Sequence, residues 1–260
     1  MKKILFLISY LFTSFTLIGQ NEIKFNYQTV VLDSSFSKNE DVKMKTYIEH
    51  LHQGLAKKMN EVIAEAPVEM RSFSPQSPLS NYLTDVLVEI TNSFCTAHNE
   101  LPIDLSLLNF GGIRSYIPQG NVTVETLFNI FPFDNKIVII SLKGSELKKI
   151  FNRFTYKDNE PYSQVTIEYD NGIPRRIDVD HNKIEDHKIY RLATIDFIQM
   201  GGDKILSNIA FENVTPTDWL LRDAFIQYIK KMNEKTKQAS GKSYQITAPL
   251  SNRVIIKPQP

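Results

Sequence analysis

The run Asp104-Leu-Ser-Leu-Leu-Asn-Phe-Gly-Gly-Ile-Arg114 decides how this chain is read. Its first half, Asp104 to Leu108, is apolar enough for a buried strand. Its second half delivers Asn109, Gly111, Gly112 and Arg114 at the strand's end. Paired glycines let the backbone turn sharply and approach a ligand with no Cβ in the way. A rigid strand that ends in Asn and Arg can mount a polar site. Taken alone, the same residues suit a plain strand and turn equally well.

Working outward, Lys136 to Leu142 (KIVIISL) reads as a strand, and so does Lys188 to Ile198 (KIYRLATIDFI), closed by Gly201-Gly-Asp203. Val165 to Tyr169 and Ile173 to Val179 flank Asn171-Gly172, the strongest short hairpin signal. Leu83, Val86, Leu87, Ile90 and Phe94 share one face of a helix expected over Leu79 to His98. Shorter helices are expected over Val122 to Phe131 and Gly144 to Phe154, and a last one over Trp219 to Met232. A polar tail follows from Asn233 to Ser243, and Gln245 to Lys257 could add an edge strand. Near the N-terminus, Ile23 to Leu32 alternates loosely and suggests a strand. Glu40 to Ala66 then reads as a helix, with Met44, Ile48, Leu51, Leu55, Met59 and Val62 as its apolar stripe. Ser37 and Glu40 fit a capping box, and Pro67 ends the helix. Strands and helices mix without a strict βαβ rhythm, so the expected fold is α+β, a mixed sheet covered by helices.

The bulk numbers set limits. With 260 residues, 42% hydrophobic and 23% charged, the chain can bury one sizeable core or one domain plus an extension. Thirty basic against 29 acidic residues leave a net charge of +1, so no global field favours nucleic acid or an anionic membrane. Lys2 and Lys3, the apolar run Ile4 to Ile18 and the small Gly19 read as a secretory signal peptide, too short for a membrane span. The expected layout is a signal peptide over 1–19, a strand–helix arm over 20–67 and the main domain over 68–260, in an exported protein, periplasmic or extracellular. The single cysteine, Cys95, rules out an intramolecular disulfide and reads as an inert buried thiol.

Three motifs in order then resemble the C-terminal, substrate-binding domain of the 5'-nucleotidase and UDP-sugar hydrolase family. Asn109-Phe-Gly-Gly-Ile-Arg114 resembles its Asn-x-Gly-Gly-Ile-Arg loop. Phe131-Pro-Phe-Asp-Asn135, leading through a strand to Leu142-Lys-Gly-Ser-Glu-Leu147, resembles its Pro-Phe-x-Asn segment and the helix start that follows. Tyr190-Arg-Leu-Ala-Thr-Ile-Asp-Phe197 with Gly201-Gly-Asp203 resembles its Tyr-x-x-x-Thr-x-Asp-Phe and Gly-Gly-Asp motif. The resemblance covers the chain from about Val68 onward. It implies that Phe133 and Phe197 sandwich a nucleobase, that Asp203 accepts ribose hydroxyls, that Asn109 lies near the base, and that Arg114 reaches the ribose and phosphate end. Outside the motifs, each Phe would read as core, Asp203 as a turn residue and Arg114 as a surface ion pair. Two departures stand out. Gln76-Ser-Pro-Leu-Ser-Asn81 replaces the usual Glu-x-x-Leu-Gly-Asn start, and Arg71 lies about two residues earlier than the family's arginine, although it is kept as a substrate-binding candidate. The Ile198-Gln-Met200 spacer is also bulkier than is common.

The chemistry of that family needs a second part. Its members hydrolyse phosphate esters with two metal ions held by clustered His, Asp and Asn. This chain has no Asp-x-His, no Gly-Asp-x-x-Asp and no Gly-Asn-His motif. His50 and His52 form His-x-His, but two residues apart on a helix they point about 200° apart. No Gly-x-Ser-x-Gly elbow is present, and Gly241-Lys-Ser243 lacks the rest of a phosphate loop. The expectation is a nucleotide-recognition domain with no catalytic or metal-binding residue and no cofactor of its own. It would act with an exported metallophosphatase chain that carries the divalent metal pair. The alternative is a stand-alone exported nucleoside- or nucleotide-binding protein.

Overall fold

The computed structural model describes residues 25–31, 41–248, 250 and 253–257. The chain divides into two units, Met1–Leu51 and His52–Pro260. In the first, residues 25–31 belong to no strand and their side chains are exposed. Alternation there does not suffice, because a strand needs a partner to satisfy its backbone. The expected capping box at Ser37 and Glu40, and the ends of the expected first strand, lie outside the described residues. Helix α1, Val42–Met59, starts on Asp41, whose carboxylate accepts the N–H groups of Lys43 and Met44 at 2.9 and 3.2 Å. None of its side chains is buried.

The helix expected to reach Ala66 stops at Met59. Val62–Ala66 is strand β1, and it pairs antiparallel with β3, Gly120–Thr123. Ile63, Ala64 and Ala66 are buried there. The partner lies some 58 residues away in sequence, so local periodicity could not reveal it.

The body of the second unit is a five-stranded mixed sheet in the order β10-β4-β9-β2-β5. Its strands are β2 Leu105–Leu107, β4 Lys136–Lys143, β5 Tyr162–Ser163, β9 Ile189–Ile195 and β10 Asn213–Leu220. β2 runs parallel to β9, and the other neighbours are antiparallel. The central strands β4 and β9 are buried on both faces, which is why they read as continuous apolar runs. Helices α2, Pro78–Ala97, and α4, Gly144–Phe151, pack on this sheet. α6, Leu221–Ser240, packs on β10 and β1 and against α3, Val124–Ile130. Ser77 and Ser80 form a reciprocal cap at the start of α2, with Pro78 in its first turn. A second sheet, β11-β6-β7-β8, holds the hairpin β6 Val165–Asp170 and β7 Ile173–Val179, flanked by β8 Asn182–Lys183 and β11 Val254–Ile256. Val165, Ile167 and Tyr169 face the core while Thr166, Glu168 and Asp170 do not, the period-2 pattern of a one-sided sheet.

Several boundaries differ from the sequence expectation. β3 takes the start of the expected helix at 122–131. β9 ends at Ile195, and Asp196–Gln199 forms a short helix, α5. α6 runs on through the expected polar tail to Ser240 and ends at Gly241, whose φ of 70° suits a left-handed cap. Asn233 anchors this extension from inside, its side-chain oxygen accepting the Tyr244 N–H at 2.9 Å. β10 was not expected; its Pro216 removes a ladder donor, which is tolerated since β10 is the outermost strand. The expected last strand shrinks to β11. Arg253 just before it is buried and donates to Thr84 and to the Tyr162 carbonyl, tying the chain's end to α2 and β5. Cys95 is buried as expected, and burial pushes its thiol up. Among the described residues no helix is long and apolar enough to cross a membrane.

Leu105 in β2, four residues before Asn109, is fully buried. Leu105→Ala is expected to cost about 2–5 kcal/mol of unfolding free energy, measured by urea denaturation.

Candidate functional site

The sheet registers gather the motif residues at one edge. β9 aligns with β2 at Leu105–Leu192 and with β4 at Ile137–Ile195. Extending both registers puts Asn109 and Lys136 level with Asp196. The end of β2, the start of β4 and the end of β9 therefore share one rim, with Phe133 two residues short of Asn135 and Phe197 just past Asp196. Asp196 locks this corner, its Oδ1 accepting the Lys136 N–H at 3.1 Å and the Phe197 N–H at 2.8 Å.

Asn109 and Asp203 are 94 residues apart and in direct contact: Asn109 Nδ2 donates to Asp203 Oδ2 at 2.6 Å. Asn109 is 4% exposed, and its Oδ1 is buried with no partner among the described residues. Phe110–Gly112 makes one turn of 3₁₀ helix after it. Gly112 is required by contact, whereas Gly111 leaves room for a Cβ. A Cβ on Gly112 would lie 2.6 Å from Asn109 Oδ1, and one on Gly111 would lie 3.6 Å from Asp203 Oδ2. Asp203 itself has a φ of 53°, a left-handed conformation that Asp adopts more readily than most residues.

Phe133 and Phe197 are 47% and 43% exposed, so neither ring is core. The Phe197 ring lies against Gly202, where a Cβ would come within 2.4 Å of it. The loop bearing Phe133 is held from behind by Arg222, which donates to the Phe131 carbonyl at 3.2 Å and to Asp134 at 2.8 Å. The Arg222 guanidinium also sits 4.2 Å over the Phe128 ring. Arg114 is exposed, with its guanidinium 3.4 Å from the Gly111 carbonyl. Arg71 contacts Glu69 at 2.6 Å and lies 4.3 Å over the Tyr116 ring, neither of which belongs to the expected set. Sequence reasoning missed the supports. Asp196 stood within a recognised motif, and its role could have been asked for. Arg222 and Glu160 carry no local signal.

Glu160 accepts the Phe110 N–H on Oε2 at 2.6 Å. Burial pushes its carboxyl up to about 7; the Phe110 N–H opposes this, and the charges of Asp203 and Asp158 add to it. Among the described residues, no three His, Cys, Asp or Glu are grouped as a metal site requires.

The model of the 5'-nucleotidase C-terminal domain matches residues 61–209. The chain belongs to this family. It is 31% identical over 166 residues to the NAD 5'-nucleotidase of Haemophilus influenzae, covering 52% of this chain and 27% of that protein. It is 28% identical over 133 residues to the protein UshA of Yersinia enterocolitica, covering 49% and 24%. The crystal structure of a 5'-nucleotidase precursor from Thermus thermophilus superposes with a TM-score of 0.67 at 23% identity, over 85% of this chain and 44% of that one. The chain thus spans about a quarter of the length of these two curated relatives. The structural likeness shows the mixed α/β fold of a 5'-nucleotidase C-terminal domain.

A pH prediction follows from Glu160. Its ordinary value is 4.5, so the folded state disfavours the carboxylate as pH rises from there through about 7. Glu160→Gln keeps an acceptor for Phe110 and removes that penalty. Its melting temperature is expected to exceed that of the wild type at pH 8, with the gap closing by pH 4.5 in thermal melts.

Proposed function

We propose that this domain recognises nucleosides and nucleotides for a 5'-nucleotidase-type phosphatase in nucleotide breakdown. The observation that carries the reading is the Asn109–Asp203 hydrogen bond, which joins the first and third motifs into one polar wall. An exposed carboxylate suits ribose hydroxyls, and the unpartnered Asn109 Oδ1 suits a donor on the base. Phe133 and Phe197, half exposed on the same rim, offer faces for stacking. Arg114 would take the phosphate end with its guanidinium fork, and Arg71 is a second cation for that end. Gly111 and Gly112 let the loop come close.

Hydrolysis is assigned elsewhere. Among the described residues no His, Cys, Asp and Glu cluster as a two-metal centre requires. The divalent metal pair would belong to a separate exported metallophosphatase chain. Two features support that partnership. The curated relatives extend well beyond the part that this chain matches. Helix α1 also carries Met44, Tyr47, Ile48, Leu51 and Leu55 at helical spacing, each roughly half exposed, which suits a docking surface. Lys2, Lys3 and the apolar run to Ile18 support export to the periplasm or beyond the cell.

Calorimetric titration with adenosine and AMP tests recognition. Phe133→Ala and Phe197→Ala are each expected to weaken binding by about 1–3 kcal/mol, while the melting temperature holds because both rings are half exposed. Unchanged binding in both variants would remove the nucleoside reading. Mixing with a co-exported metallophosphatase tests the rest. Metal-dependent AMP hydrolysis enhanced by the pair is expected; no enhancement, with binding intact, would favour the stand-alone binding protein.

A further inference from the structure

The candidate site contains an acidic group that this reading leaves unused. Glu160 lies just before β5, and its Oε2 bond to the Phe110 N–H ties it to the residue next to Asn109. Asn109 in turn holds Asp203, whose charge Glu160 feels. Glu160 also lines a groove of about 340 Å³ with Ser72, Phe73, Phe110 and Ile113. Asp203 and the buried, unpartnered Asn109 Oδ1 do not line that groove but follow directly from Phe110 along the same bonded chain, so acceptors dominate here. The Phe110 bond uses only one acceptor position of a group that has about four when ionised. The charged groups around Glu160 are Asp203 from the turn after α5, and Lys157 and Asp158 on its own segment. The facing stretches 72–74 and 110–113 carry no charge.

We propose that Glu160 is a recognition residue of this site: its carboxylate accepts a hydrogen bond from a ligand N–H or O–H beside Asp203, so that donor-bearing nucleosides are selected over compounds that bring another negative charge to this wall. The inference rests on nucleoside recognition as proposed above. It has a thermodynamic consequence. The ligand bond needs the carboxylate, whereas Glu160 is substantially protonated below about 7. Binding therefore expels a proton from Glu160, and affinity rises with pH until the group is fully ionised.

The test is calorimetry on the mature chain from pH 5.5 to 8.5, in two buffers of different ionisation enthalpy. The probes are guanosine, inosine and adenosine together with their 2',3'-dideoxy forms. For the wild type, affinity is expected to fall about tenfold per pH unit below about 7, with close to one proton released per ligand at pH 6. In Glu160→Gln both the pH slope and the proton release vanish while the melting curve stays cooperative. A response from guanosine and inosine but not adenosine assigns the donor to the base N1–H, which adenosine lacks. A response from all three that is lost in the dideoxy forms assigns it to a sugar hydroxyl. Wild-type binding that is independent of pH, without proton exchange and matched by Glu160→Gln, overturns the proposal. No nucleoside binding by the wild type at any pH overturns the underlying reading, and this inference with it.

Discussion

The site depends on one hydrogen bond, from the amide of Asn109 to the carboxylate of Asp203. It closes a gap of 94 residues across the rim of the sheet. Bonds from an amide to a charged group contribute about 1.5–3 kcal/mol, more than a neutral pair. Its geometry demands the features around it. Asn109 must leave β2 pointing at the end of β9, so the two strands must be parallel neighbours. Gly112 must lack a side chain, because a Cβ there would displace the amide. Asp203 meets the amide from a left-handed backbone, with a φ of 53°.

The rest of the rim is built on the same principle of buried support for exposed groups. Arg222, almost fully buried, holds the carbonyl and carboxylate on either side of Phe133. Asp196 takes two backbone N–H groups and so fixes where Phe197 leaves the sheet. Gly202 gives the Phe197 ring a flat floor. Each aromatic can stay half exposed because the fold does not need it for its core. Phe131, two residues before Phe133, meets that need instead, packing 5.1 Å from Phe225. Exposure and core packing are thus divided between neighbouring residues, which leaves the outer ring free of a structural role.

The same arrangement explains the tension at Glu160. The loop that presents Asn109 needs an acceptor for the Phe110 N–H, and Glu160 supplies it. The cost is a partly buried carboxyl that also feels the charges of Asp203 and Asp158. Groups held away from their ordinary ionisation in this way concentrate where binding or chemistry occurs.

Much of this was legible in the residues themselves. The apolar runs at Lys136–Leu142 and Lys188–Ile198 declared buried strands, the Asn171-Gly172 pair declared a hairpin, and three short motifs declared the family. These features are local: they rest on side-chain periodicity, turn conformations and fixed spacings, all of which a linear string contains. The tertiary structure decided whatever depended on a distant partner. β1 is a strand only because β3 lies beside it, β10 survives its proline only because it is outermost, and α6 runs on because Asn233 finds Tyr244. Glu160 and Arg222 look like surface charges until the chain closes around them. Hydrogen bonding and desolvation act between groups that folding brings together, so no local pattern could announce them.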